Sequence, residues 1–225
     1  MISVVIPAIN EERALPATLE RLLPQTRGHE VILVDGGSID ATARIASSHP
    51  GIRVLAAPKG RASQMNAGAA EARGEWLLFL HADTLIPENG LTLIAGLPAR
   101  VEAGGFRHRF SGGGFGLWLV SLADNIRCLR SRIIFGDQAM FVRRATFARL
   151  GGFPDVERLE DVRFCRTLVR HTKPVILDEA VVTDARKFLR HGVLRSLTRV
   201  AIILACVSLG LRLPRESLRF FEDVR

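Results

Sequence analysis

The stretch LLFLHADT, residues 77–84, carries four apolar residues into a histidine, an alanine and an aspartate. An acid at the mouth of a buried segment needs a partner: a helix end, an arginine, or a metal carrying a ligand. If the strand persists, His81 and Asp83 face the same side, where an imidazole and a carboxylate can share one pocket as first-row metal ligands. The competing reading of His81 is a half-buried histidine whose polar atoms are satisfied. Asp35 raises the same question, because it ends the run EVILVD and precedes Gly36, Gly37 and Ser38, where bare backbone can be approached closely. Further on, Glu160 and Asp161 stand just ahead of a helical pattern over 162–170. Two acids there compensate a helix dipole, and the same two can deprotonate a hydroxyl.

The elements that must position these groups follow from the hydrophobic pattern. Short runs rich in Val, Ile and Leu (ISVVIP, EVILVD, IRVLAA, EWLLFL) alternate with segments of helical period at 11–23, 41–48 and 62–72. This βαβαβαβ order predicts an α/β fold with a mostly parallel sheet covered by helices on both faces, where ligands bind outside the carboxyl ends of the strands. The residues that follow the strands are Pro7 to Glu12, Asp35 to Ser38, Pro58 to Arg61 and His81 to Thr84, so polar groups gather at one edge. Singly, Asn10 and Ser38 suit N-caps, and Glu11, Glu12 and Asp40 suit helix starts; together the four loops mark a ligand site. No GxGxxG follows the first strand, which excludes a dinucleotide fingerprint. The glycines of SGGGFG, 111–116, read as a mobile loop.

With 225 residues, 48% of them hydrophobic, the chain can bury one substantial core. The formal charge of +8 comes almost wholly from arginine, the lysines being Lys59, Lys173 and Lys187. Such a balance suits nucleotide phosphates or anionic lipid. Without an RNP-like strand, a zinc finger or any tyrosine, nucleic acid is not the expected partner. Cys128, Cys165 and Cys206 lie far apart with no CxxC, which argues against a disulfide framework or zinc knuckle and for a reducing compartment. No n-region precedes the first apolar run, so no signal peptide is expected and the mature chain is read as beginning here.

The segments SVVIPAINEE, ILVDGGSIDAT, GRASQMNAGA, LLFLHADT, GDQAMFVRR and GGFPDVERLEDVRF resemble, in order and spacing, family 2 glycosyltransferases of the GT-A (Rossmann-like) fold, over roughly residues 2–170. VDGGS, GRASQMNAGA, HADT and GDQ together resemble a bacterial subgroup labelled for arsenosugar biosynthesis. The resemblance implies inverting transfer of a sugar from a nucleotide-diphosphate donor, with a divalent metal, Mn²⁺ or Mg²⁺, on the diphosphate. By position it assigns Pro7, Asn10 and Glu12 to the nucleoside, Asp35 to the base, and Arg61, Asn66 and Gly68 to the element beside the nucleotide. It makes Asp83 the last acid of a DxD motif in which His81 replaces the first. Gly136, Asp137 and Gln138 fall on the acceptor side. Asp161 becomes the general base, with Glu160 next in line.

Between these motifs lies GGFRHRFSGGGFGLWL, 104–119, which reads either as an acceptor loop carrying Arg107, His108 and Arg109 or as a solvated strand and turn. From 191 to 225 the chain is arginine-rich around twelve uncharged residues, 200–211, flanked by Arg195, Arg199, Arg212 and Arg215. Twelve is too short to cross a bilayer, which takes about 20 apolar residues. A transferase domain over 1–190 is therefore expected, with a helical C-terminal extension over 191–225 packed on the domain, on another subunit of a homo-oligomer, or on an anionic membrane surface. The expected location is cytoplasmic, with membrane association on the cytoplasmic face, and the expected acceptor is a small molecule or a lipid-linked one. The rival readings are a sugar nucleotidyltransferase, which would announce a glycine-rich phosphate loop that PAINEERALP is not, and a degenerate nucleotide-binding module.

Overall fold

The computed structural model describes residues 1–156 and 158–185; the arginine-flanked run read from the sequence at 191–225 lies outside them. In chain order the elements are β1 (Ile2–Ala8), α1 (Leu15–Leu22), β2 (Glu30–Asp35), α2 (Thr42–Ser47), β3 (Ile52–Ala56), α3 (Arg61–Glu71) and β4 (Trp76–Phe79). There follow β5 (Thr84–Leu85), α4 (Gly90–Ala95), β6 (Ala103–Phe110), α5 (Phe115–Ser131), β7 (Phe141–Arg143), α6 (Arg144–Arg149), α7 (Glu160–His171) and β8 (Val175–Thr183). One sheet runs β3-β2-β1-β4-β7-β6-β8-β5. The first four strands are parallel, as the βαβ pattern requires. β7 then pairs antiparallel with β4 and β6, β8 returns parallel to β6, and β5 closes the edge antiparallel to β8.

Strand β1 is buried along its whole length, and its alternation divides the core. Ile2, Val4 and Ile6 face α1 with Leu15, Leu19 and Leu22. Val5 faces the other side with Ala62, Met65 and Ala69 of α3, Phe147 of α6 and Phe164 of α7. Pairing of β1 with β4 ends at Val5 and Phe79, before Pro7, so a proline fits in a central strand beyond the shared ladder.

One expectation changes in the structure. The first helix starts at Leu15 instead of residue 11: Asn10 takes a left-handed φ of 53°, which asparagine tolerates better than most residues, and the chain turns at Glu11, whose carbonyl accepts from the N–H groups of Ala14 and Leu15. Pro16 then falls in the first turn of α1, where its missing N–H costs nothing. The glycines read as a loop at 111–116 form a short connection over 111–114, and Gly116 falls in the first turn of α5. Gly112 and Gly114 adopt φ of +84° and +128° and swing the chain directly from β6 into α5, while Ser111 N–H donates to the Thr183 carbonyl at 2.8 Å.

Gly68 shows how closely α3 lies on the sheet. A Cβ there would stand 2.4 Å from Val5 Cγ1 and 3.0 Å from Val34 Cγ2. Gly68→Ala should therefore lower stability by about 1–3 kcal/mol, overpacking outweighing alanine's better helix propensity. Urea denaturation of the variant checks this; a variant as stable as the parent would show that α3 can lift off the sheet at no cost.

Candidate functional site

The polar edge foreseen at the strand ends is a stitched pair of loops. Asp35, at the tip of β2, accepts from Gly37 N–H at 3.1 Å, Ser38 N–H at 3.0 Å and Ser38 Oγ at 2.5 Å. Ser38 Oγ in turn accepts from Asn10 N–H at 2.9 Å, and Asn10 Oδ1 accepts from Ile39 N–H at 2.9 Å. Glu12 donates its N–H to Asp40 and accepts at Oε2 from Ala41 N–H, both at 3.1 Å. The loop after β1 and the loop after β2 thus hold each other. Three donors on Asp35 leave about one of a carboxylate's roughly four acceptor positions for a ligand.

Helix α3 fixes this edge from one face of the sheet. Gln64 Nε2 donates to the carbonyls of Ala8 and Val34, both at 2.8 Å, tying the tips of β1 and β2 to one buried amide. Asn66, expected beside the nucleotide, uses both ends of its carboxamide on the Phe153 backbone, at 2.8 and 3.0 Å. Gly68 lies buried against Val5 and Val34. The structure therefore places Asn66 and Gly68 in the wall of the site, whereas Arg61, the first residue of α3, is exposed and lies near Glu160 and Asp161.

Strand β4 stops at Phe79, so the strand alternation that would put His81 and Asp83 on one side does not apply. Residues 81–84 make a turn, with Thr84 N–H on the His81 carbonyl at 3.1 Å, and Thr18 of α1 holds the turn through its hydroxyl on the Ala82 carbonyl at 2.8 Å. Both His81 and Asp83 are half-buried. The imidazole lies against Gly136, where a Cβ would come within 2.7 Å of Cε1 and Nε2 and within 3.2 Å of Asp161 Oδ2. Gly136 N–H donates to that Oδ2 at 2.5 Å, and Val162 N–H donates to Oδ1 at 2.7 Å. Three motifs distant in sequence, HAD, GDQ and ED, meet at the missing side chain of Gly136.

Residues in left-handed backbone flank this junction. Leu159 has φ 60° just before α7, and Ala139 has φ 46° just after the turn at Gly136–Gln138. Each costs about 1–2 kcal/mol for a residue with a Cβ. The first aims Glu160 and Asp161 off the start of α7, and the second follows Gln138, whose Oε1 accepts from Phe135 N–H at 3.0 Å. Arg127 of α5 joins the same turn: it pairs with Asp124 at 2.8 Å, reaches Gln138 Oε1 at 3.2 Å and lies over the Phe135 ring at 3.6 Å. His108 of β6 stands 3.9 Å from Asp137, its backbone N–H held by Asn125 of α5 at 2.8 Å.

Burial pushes the carboxyls of Glu160, Asp161 and Asp137 above their ordinary range. For Glu160 the Asp161 charge adds to burial while Arg61 opposes it; for Asp161 the two backbone donors, Arg61 and Arg127 oppose burial. For Asp137, His108 opposes desolvation while Asp124 and Asp161 add to it. Burial also pushes the Cys128 thiol up to about 11 and Cys165 further, so neither is a nucleophile at neutral pH. Among the described residues no cluster of three or more His, Cys, Asp or Glu forms a metal cage. Gln64, Asp124 and Arg127 were not singled out from the sequence. Their signals were a glutamine on the buried face of α3 and an Asp/Arg pair at i,i+3.

Comparison with known proteins gives these features a frame. The family model for glycosyl transferase family 2 matches residues 3–148. A PGL/p-HBAD biosynthesis glycosyltransferase of Mycobacterium bovis is 34% identical over 166 residues, 71% of this chain and 54% of that protein. S. aureus TarS (residues 1–349) superposes with a TM-score of 0.67 at 20% identity, covering 90% of this chain and 65% of that one. The mannosyltransferase PcManGT of Pyrobaculum calidifontis, solved with GDP-Man and Mn²⁺, gives 0.63 at 23% identity, covering 80% and 56%. The chain thus spans between half and two thirds of the length of these relatives. At such identities the two structures establish the shared GT-A fold alone.

The raised carboxyl of Glu160 has a consequence for stability. A folded pKa above the unfolded value means that stability is complete below the unfolded pKa and is lost as pH rises through the folded one. Glu160→Gln removes that loss. The variant should melt higher than the parent at neutral pH, with the difference shrinking as pH falls below the ordinary glutamate range. A constant difference across the pH series would mean that Glu160 does not titrate abnormally.

Proposed function

The chain belongs to glycosyl transferase family 2, and on that premise we propose that it moves a sugar, with inversion, from a nucleotide-diphosphate donor to a hydroxyl acceptor. The observation that carries this reading is the meeting of His81, Gly136 and Asp161. It puts an acid with a raised pKa between the segment read as the diphosphate side and the one read as the acceptor side. The solved relatives support a nucleotide-sugar donor, since PcManGT was captured with GDP-Man and Mn²⁺ and TarS with UDP-GlcNAc.

In this reading the stitched loops bind the nucleoside: Pro7, Asn10 and Glu12 line it, and Asp35 offers its remaining acceptor position to the base. Arg61, exposed at the start of α3, adds positive charge beside the departing diphosphate. Asp83 and His81 would hold a divalent cation, a carboxylate and an imidazole being competent first-row metal ligands, with a bound diphosphate supplying further oxygens. Mn²⁺ or Mg²⁺ bound there would neutralise charge developing on the leaving diphosphate.

Asp161 takes the proton of the acceptor hydroxyl. The acceptor oxygen then forms its bond to the anomeric carbon as the bond to the diphosphate oxygen breaks, and the nucleoside diphosphate leaves. A carboxyl whose pKa is raised is the stronger base, and the two backbone N–H groups on Asp161 keep its oxygens aimed. Of the acceptor-side residues, half-buried Asp137 is the one proposed to meet a small-molecule or lipid-linked acceptor, whereas Gln138, fully buried with its carboxamide on Phe135, Arg127 and the Phe106 carbonyl, braces the turn behind it. No helix of the described residues is long and apolar enough to cross a membrane. We place the enzyme on the cytoplasmic side, with 1–190 as the transferase domain and 191–225 as its extension.

Two outcomes are expected. UDP or GDP should raise the melting temperature more with Mn²⁺ than without it, because ligand bound to the folded state stabilises by mass action. Asp83→Asn should lose that metal-dependent increment and keep its fold. Equal shifts with and without metal in both proteins would remove the cation from the mechanism. Asp161→Asn should then cut transfer about 10²–10⁴-fold with donor affinity nearly unchanged. Turnover within a few-fold of the parent would leave Asp161 as a structural acid and transfer the role to Glu160.

A further inference from the structure

Helix α5 has two apolar faces. Leu117, Val120, Ser121 and Cys128 are buried on one side, where Ser121 and Asn125 hydrogen-bond the β6 backbone. Phe115, Trp118, Leu119, Leu122, Ile126 and Leu129 lie on the other and are exposed, Phe115 at 76% and Trp118 at 57%. At about 100° per residue, these side chains fall within an arc of about 100° opposite the buried face. A helix facing water carries its charge on the outer side; α5 reverses this. Its one acid, Asp124, lies on the inner side and is paired with Arg127, while exposed Arg130 borders the apolar stripe.

We propose that the outer face of α5 docks on an anionic lipid surface, the helix lying in the interfacial plane. Charge favours this occupant. The exposed stripe presents no carboxylate, Arg130 and Arg132 stand at its C-terminal end, and the whole chain carries +8. At the other end Phe115 and Trp118 stack with ring centroids 5.7 Å apart, and aromatic rings of this kind settle at the headgroup boundary. The stripe is a convex ridge of large side chains, which a bilayer accepts without a complementary groove.

Docking in this way bears on the acceptor. Arg127, on the inner side of α5, holds Gln138 and covers Phe135, so a lipid-bound α5 sets the acceptor-side turn one helix diameter from the bilayer, about 10 Å. A lipid-linked acceptor reaches Asp137 and Asp161 from there. That consequence rests on the transferase reading; the docking does not.

The chain contains two tryptophans, and Trp76 is 2% exposed and packed under Arg143, so Trp118 reports on α5. The full chain is mixed with phosphatidylcholine vesicles, with and without phosphatidylglycerol, carrying brominated acyl chains. Trp118 emission should shift to the blue and be quenched by the anionic vesicles at low salt, recover as salt rises, and be missing in Trp118→Phe. Arg130→Gln should weaken binding about fivefold, the equivalent of about 1 kcal/mol, and Leu122→Gln with Ile126→Gln at least about tenfold. Vesicle binding with Trp118 unquenched would overturn the proposal by locating the contact elsewhere in the chain. Emission that depends on protein concentration without lipid would assign the face to a second copy. Emission indifferent to both lipid and acrylamide would assign it to cover by the chain itself, which passes beside Leu117 and Val120 at Ala185. A melting shift with UDP and Mn²⁺ on the same samples shows whether the transferase reading stands independently of these results.

Discussion

The hydrogen bond from Gly136 N–H to Asp161 ties the working parts of this protein together. It joins the turn before β7 to the first residues of α7, and it exists because residue 136 has no side chain: any Cβ would meet the His81 imidazole. A carboxylate that accepts backbone donors while half-buried is held in place and kept short of water. The same contact brings the segment after β4 against the turn before β7, the two strands along which the halves of the sheet are joined.

The parallel and antiparallel halves divide the labour. In the parallel half, loops after β1 and β2 bind one another through Asn10, Ser38, Asp35, Glu12 and Asp40, with Gln64 fastening the strand tips from below. Such a network prepays the ordering of two loops before any ligand arrives. In the other half, α5 and α7 bring charge to a buried turn. Asp137 lies within electrostatic reach of Asp124, Arg127 and Asp161, and Glu160 within reach of Asp161, a clustering of buried charge that is costly to stability and common at functional sites.

Helix α5 shows how one element serves two demands. Its inner face braces the turn at Gly136–Gln138 through Arg127 and holds β6 through Asn125 and Ser121. Its outer face is apolar at helical spacing. From composition alone such a segment reads as core, since burial on one side and exposure on the other leave the same residue types behind.

The sequence by itself determined the parallel half, because continuous apolar strands separated by helical periods admit few topologies, and with it the edge where Asn10, Asp35 and Arg61 would gather. It also marked Glu160 and Asp161 at a helix start and Gly136, Asp137 and Gln138 as a unit. Only the tertiary structure decided how these meet. The antiparallel strands β7, β6 and β8 pair out of chain order, and short strands such as Phe141–Arg143 carry too little pattern to reveal it. That the strand before His81 would stop at Phe79, that Asn66 would turn to Phe153, and that Gly136 would be the meeting point of three motifs all depend on backbone proximity between residues many positions apart. Local periodicity encodes which face a residue takes along its own element; which distant backbone atom lies opposite it is set by packing the elements together.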